Sequence, residues 1–221
     1  MRRRDVRNLC FHGIGSPGRT IDDDEARYWV SRDGYLRILD EIVTWPAVTL
    51  SFDDGNASDV ELALPGLLER GQLATFFVLA GRIDAPGSLA VEQVSALASA
   101  GMRVGSHGMD HVSWRSMSRA VRQRELVEAR AVIAEIVGDV TDAALPRGQY
   151  DRTTLSWLRR LGYRTVHTSD RRPAAAGAWL QPRFSVLYDD TPQTLARRVL
   201  AGRPPHERAA LELKGLLKRV R

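Results

Sequence analysis

Cysteine is nearly absent from this chain: Cys10 is the one thiol among 221 residues. No intramolecular disulfide can form, and a zinc site built from cysteines is excluded. Lysine is almost as scarce, with only Lys214 and Lys218 among 32 basic residues. Aromatic residues make up 7% of the chain, and no basic-aromatic motif of an RNA-binding type occurs. Base exceeds acid by 32 to 27, a formal charge of +5, but the arginines are scattered among acids. That pattern reads as coding bias, and no nucleic-acid partner is expected. Long apolar runs are missing too, and none approaches membrane-spanning length. Met1-Arg2-Arg3-Arg4 is positive, yet no apolar segment follows before Phe11-His12-Gly13. Neither a signal peptide nor stable membrane insertion is expected, so the expected location is the cytoplasm. The oligomeric state is left open.

What is present centres on Val48 to Gly55, read V-T-L-S-F-D-D-G. An apolar, β-branched run suited to a buried strand ends in two adjacent carboxylates and a glycine. Neighbouring side chains on a strand point to opposite faces. Both acids can serve one site only if the backbone bends there, and Gly55 permits a bend. Two carboxylates side by side repel unless a cation or a shared proton relieves them.

The remaining chain alternates short strands with helices. Strands are expected at 8–14, 73–79, 102–105, 143–145, 163–168 and 184–187. Helices are expected at 35–43, at 56–70 with a kink or late start at Pro65, and at 91–100, 118–137, 153–161, 192–201 and 207–218. The acidic cluster Asp22-Asp23-Asp24-Glu25 is suited to open a short helix over 27–30. No repeat or low-complexity linker divides the chain, which predicts one domain over 1–221. The alternation argues for an α/β fold with a parallel sheet, open or closed into a barrel. Function gathers at the carboxyl ends of strands in such folds. Four polar clusters each follow a strand: Asp53-Asp54, His107 to His111, Pro146 to Tyr150, and Asp170.

His107 and His111 stand four apart with Gly108 between them, a spacing that lets two imidazoles converge on a metal. One added carboxylate completes a two-histidine, one-carboxylate set that leaves a position for water. Zinc is the first expectation, and Co2+, Fe2+ or Ni2+ suit the same donors. The second aspartate then has a use: one acid binds the metal while its neighbour takes a proton from bound water. The residues do not say which aspartate does which. The chemistry is metal-assisted hydrolysis of a carbonyl compound, most simply an amide or ester.

S-F-D-D-G, H-G-M-D-H and P-R-G-Q-Y-D, in that order and each after a strand, resemble the polysaccharide deacetylase family (the NodB homology domain, carbohydrate esterase family 4). The motif-bearing core spans about 46–172. The resemblance implies an irregular (β/α) barrel of about seven strands that removes N-acetyl groups from amino sugars or glycans. It implies Asp53 as catalytic base and Asp54, His107 and His111 as metal ligands. Pro146, Arg147, Gly148, Tyr150 and Asp170 would contact substrate, with a backbone N–H near Arg147 holding the oxyanion.

Three departures stand out. The family's arginine before the third motif is replaced by Ala144 and Leu145. Its later Asp-x-x-Asp-Trp pattern is reduced to Asp170-Arg171. Its last strand supplies a histidine as general acid, whereas 185–189 here has none. His12 is the preferred replacement; His167 reads as structural and His206 as exposed. The other readings are hydrolysis of a non-sugar amide or N-formyl group on the same metal site, and a catalytically weak glycan-binding member.

Overall fold

The computed structural model describes residues 5–201, 210, 213 and 215–218. Strand β1 (Asp5–Phe11) is followed by β2 (Gly13–Ile14), α1 (Asp23–Ala26) and β3 (Trp29–Val30). Then come α2 (Arg32–Ile42), β4 (Val48–Asp54), α3 (Leu64–Glu69), β5 (Ala74–Val78), α4 (Val91–Ser99) and β6 (Arg103–Ser106). The second half holds α5 (Arg119–Arg122), α6 (Ala129–Val137), β7 (Asp142–Ala144), α7 (Arg152–Arg160), β8 (Thr165–Thr168), β9 (Ala174–Ala175), β10 (Leu180–Ser185) and α8 (Pro192–Val199). Seven strands run parallel in the order β10-β8-β7-β6-β5-β4-β1, and β1 pairs with β10 to close a barrel. The expected (β/α) barrel is the observed one. β9 adds an antiparallel edge to β1, and β2 pairs with β3 apart from the barrel. Among the described residues no helix is long and apolar enough to cross a membrane.

Strand alternation sorts the chain into two environments. Leu9, Phe11, Leu50, Phe52, Phe76 and Val78 turn outward and are buried against Tyr35, Ile38, Leu39 and Ile42 of α2 and neighbouring helices. Phe52 lies between Phe11 and Phe76, with ring centroids 5.3 and 4.7 Å away. Burying each such ring contributes roughly 1.5–3 kcal/mol. The opposite face looks into the barrel and is polar. Asn8 donates to Gln181 at 3.0 Å, Arg183 donates to Ser51 at 3.0 Å, and His167 packs on Phe77 at 4.8 Å.

Several expectations shift. The short helix lies at 23–26, not 27–30, because Asp22 caps it by accepting the Glu25 N–H at 2.7 Å. Trp29 and Val30 are then free to pair as β3. The last strand lies at 180–185 rather than 184–187. Pro182 and Arg183 argue against a strand on sequence alone, yet Pro182 is opposite Thr168 in the ladder. Residues 59–63 and 123–128 form wide π-helical turns leading into α3 and α6. Pro65 falls at the start of α3, just where the π-helical turn at 59–63 passes into α-helix. His206 and most of the helix expected over 207–218 lie outside the described residues.

Gly105 on β6 leaves space for the Phe77 ring inside the barrel. A Cβ there would stand 2.7 Å from that ring and 2.8 Å from the Asp142 carbonyl oxygen. Gly105→Ala is expected to destabilise the fold by about 1–3 kcal/mol, read as a lower denaturation midpoint with an unchanged slope.

Candidate functional site

The site begins where β4 runs out. Asp53 faces the barrel interior by alternation, so Asp54 would face outward on a regular strand. Instead Asp54 itself adopts φ 78°, the left-handed region, and Gly55 follows at φ 67°. The bend therefore starts one residue earlier than the glycine suggested, and it swings the second carboxylate into the same site. A non-glycine residue held there costs of order 1–3 kcal/mol. Both acids are buried.

His107 leaves β6 with its backbone N–H donating to the Val78 carbonyl at 2.8 Å. Its Nδ1 lies 2.9 Å from the Ala144 carbonyl oxygen, which can only accept, so Nδ1 carries the proton. That leaves the Nε2 lone pair free for a ligand. Gly108 (φ 87°) and His111 (φ 56°) then curl the loop back. Glu125, buried on the π-helical turn before α6, clamps this loop. Its carboxylate accepts the N–H groups of Met109 and Asp110, both at 3.0 Å, and the Trp114 indole at 3.2 Å. A Cβ at position 108 would stand 2.2 Å from that carboxylate.

The result brings His107 Nε2 and His111 Nε2 each to 3.5 Å from Asp54 Oδ1. One donor atom from each of the three residues lies within 4.8 Å of the others, a grouping able to hold a metal ion. Asp54 Oδ1 is buried with no hydrogen-bond partner among the described residues. A buried anionic oxygen left unpaired is costly, and a cation relieves it. Burial, then the charge of His107, pushes the His111 ring down to about 4 against the pull of Asp54. A neutral imidazole is the form that binds metal.

Asp53 is held differently. Arg183 of β10 grips its two carboxylate oxygens at 2.6 and 2.7 Å, a bidentate pair with both side chains nearly inaccessible to solvent. Burial alone would raise the Asp53 carboxyl, but the Arg183 charge overrides it, with help from His107, and holds it well below the usual range. The arginine absent from positions 144 and 145 thus arrives from the last strand. Sequence reasoning missed Arg183 because it falls just before the strand expected over 184–187. Glu125 was missed as well, since nothing marks it among the charges of an amphipathic helix.

His12 follows β1 and lines the same cavity, its ring stacked on Tyr28 at 4.6 Å. Its Nδ1 is buried and has no partner among the described residues. Burial lowers its basicity against the pull of Asp53 and Asp54. One atom each of Cys10, His12 and Asp53 lie within 4.8 Å of one another. His167 sits deeper against Phe77, burial pushes it down to about 3, and it does not line the cavity.

The cavity holds about 430 Å³, and Leu145 together with Arg147, Gly148 and Gln149 of the third motif border it. Arg147 takes φ 56°, and its Nε donates to the His111 carbonyl at 3.3 Å. Pro146, Tyr150 and Asp170, expected to touch substrate, do not border the cavity. Tyr150 packs with Trp114, Leu145 and Leu158 and donates its hydroxyl to Asp170 at 2.8 Å. Asp170 also accepts from Thr168 at 2.9 Å and from Lys218 at 2.8 Å. These residues brace the loop from behind.

The polysaccharide deacetylase family model matches residues 42–166, more than half of the chain. The chain belongs to this family. It is 28% identical over 184 residues to YxkH of Bacillus subtilis, covering 76% of this chain and spanning 65% of that protein's length. Among solved structures, the deacetylase PplD of Streptococcus pyogenes, in complex with acetate, is similar with a TM-score of 0.76 at 21% identity. That match covers 89% of this chain and 99% of the other. IcaB from Ammonifex degensii is similar with a TM-score of 0.71 at 23% identity, covering 88% and 97%. At these identities the likeness is one of fold.

Removing Arg183 would leave the Asp53 charge buried and unpaired. Arg183→Met is expected to cost about 3–5 kcal/mol, with part restored in Arg183→Met/Asp53→Asn, as equilibrium unfolding will measure. The pair also sets a pH dependence. Because the folded carboxyl lies below its unfolded value, its contribution is full above about pH 4 and is lost as pH falls further. The double variant should lose less stability than the wild type between pH 4 and pH 2.

Proposed function

We propose that this protein is a metal-dependent hydrolase that removes an N-acetyl group from an amino sugar or glycan precursor. The observation that carries this reading is the orphaned Asp54 Oδ1 facing two imidazole Nε2 atoms, beside an Asp53 locked by Arg183. Asp54, His107 and His111 would hold the ion, with Zn2+ the first candidate and Co2+, Fe2+ or Ni2+ fitting the same donors. Held by these residues, a divalent ion would supply Lewis acidity to an amide carbonyl and to a water.

The chain's own residues supply the rest. Asp53 accepts a proton from the attacking water, and Arg183 keeps that carboxylate ionised and fixed in direction. Such an acid is a weak base by its pKa, so orientation and proximity carry its contribution. The Arg147 backbone N–H, on a residue that borders the cavity, is the candidate donor to the developing oxyanion. Leu145, Gly148 and Gln149 wall the space for the acetyl group. His12 serves as general acid to the leaving amine. Burial disfavours its charged form, so the proton it delivers is the one that Asp53 takes from the water, one atom of each residue lying within 4.8 Å of the other. An arginine on the base and a histidine in the cavity weigh against a catalytically weak binding member.

Purified protein is expected to retain about one equivalent of a divalent transition metal, and chelation to abolish acetate release from acetylated chito-oligosaccharides. Asp53→Asn and His12→Ala should each lower kcat by about 10²–10⁴ with the metal still bound, while His107→Ala loses the metal. Full turnover in His12→Ala removes that residue from the mechanism. Bound metal without acetate from any sugar points to another amide. Glu125→Ala, which frees the ligand loop, should weaken metal affinity by about 10–100-fold in a competition titration with a chelator.

A further inference from the structure

Two arginines stand beside the metal-ligand loop without acidic partners. Arg82 follows β5 in a single 3-10 turn, where the neighbouring Gly81 N–H donates to the Met109 carbonyl at 3.1 Å. Arg147 reaches the same loop from the other side through its Nε contact with the His111 carbonyl. Both border the cavity, and both charges are felt at the His111 ring. Arg82 Nη1 is buried with no hydrogen-bond partner among the described residues. Neither guanidinium meets a carboxylate among the described residues. The acids nearby are taken: Asp110 pairs with Arg124 at 2.6 and 3.0 Å, Asp53 with Arg183, and Glu25 with Arg19.

A buried guanidinium nitrogen with no acceptor is costly, and the planar fork of the group fits a carboxylate or phosphate. Asp54 faces the two imidazoles, where an ion would take up its charge. The other cavity acids, Asp22 and Asp24, lie together on the separate 22–27 segment, which also carries Arg27. Apart from Asp54, the cavity is therefore polarised, with arginine charge beside the His111 loop and acids on the 22–27 segment. We propose that Arg82 and Arg147 form an anion subsite, so that the preferred substrate is an N-acetylated sugar carrying a carboxylate or phosphate close to the acetamide. With the acetamide over Asp53 and Asp54, the anionic group points to the arginine wall and away from Asp22 and Asp24. This inference rests on the deacetylase reading for its position in the reaction, though not for the binding of the anion.

The test compares kcat/KM of the metal-loaded protein on N-acetylmuramic acid, on N-acetylglucosamine 6-phosphate and on neutral N-acetylglucosamine. At least one anionic sugar should exceed the neutral one about tenfold, and which one does so separates carboxylate from phosphate. Arg82→Gln should cut the anionic-to-neutral ratio about tenfold, mainly through KM, and Arg82→Lys should restore part of it. Equal turnover of all three sugars, or equal loss on all three in Arg82→Gln, overturns the subsite while the deacetylase reading stands. If no sugar releases acetate, that reading fails, and calorimetric binding of the same sugars decides the subsite alone. Anionic sugars that bind more tightly than the neutral one, with the difference lost in Arg82→Gln, support it; equal binding overturns it.

Discussion

The bidentate contact between Arg183 and Asp53 is the constraint around which the barrel interior is arranged. A guanidinium and a carboxylate removed from water cost several kcal/mol each unless their geometry is close and their remaining hydrogen bonds are met. Here Arg183 also donates to Ser51 and lies 5.2 Å from the Phe77 ring centroid. β10 must therefore sit in register with β1, and β1 with β4, for the two charges to meet. The pairings Asn8 with Arg183 and Cys10 with Ser51 deliver that register. Closure of the barrel and preparation of the carboxylate are the same event, because the pair bridges the strands on either side of β1.

Around this pair the backbone is strained where the chemistry would be. Asp54, His111 and Arg147 all occupy the left-handed region, although none is a glycine. Asp54 ends β4, and His111 and Arg147 sit in the loops just after β6 and β7, where the chain must turn a side chain that alternation would send elsewhere. The strain is held by buried partners: Glu125 on the loop from His107 to His111, and Tyr150 with Asp170 behind the third motif. Such conformations persist only when the surroundings over-determine them. The fixed scaffold supplies that determination, leaving short loops to carry the polar groups at one rim.

The open cavity combines these devices with an uneven distribution of charge. Imidazole nitrogens and the Asp54 carboxylate lie at the floor, paired charges lie beneath, and two arginines with no carboxylate partner among the described residues flank the loop from His107 to His111. A site of this kind separates tasks by environment. The same residue type, arginine, serves as an ionised clamp where it is buried against Asp53 and as a free cation where it meets solvent.

Much of this was readable from residue order. The strand from Val48 to Asp54, and the histidine pair and proline-led third motif that each follow a strand, were legible because periodicity and turn residues are local properties. The identity of the arginine that pairs with Asp53 was not readable. Arg183 lies 130 residues away, in a strand that Pro182 disguises. Nor could sequence tell that Tyr150 and Asp170 face the core, since which side of a loop packs depends on what Trp114 and Leu158 leave for it. By itself the sequence determined the strands, their polar ends and the residue types fit for a metal. Only closure of the barrel decided which charges would meet, because burial and distance between remote residues exist only once the chain has folded.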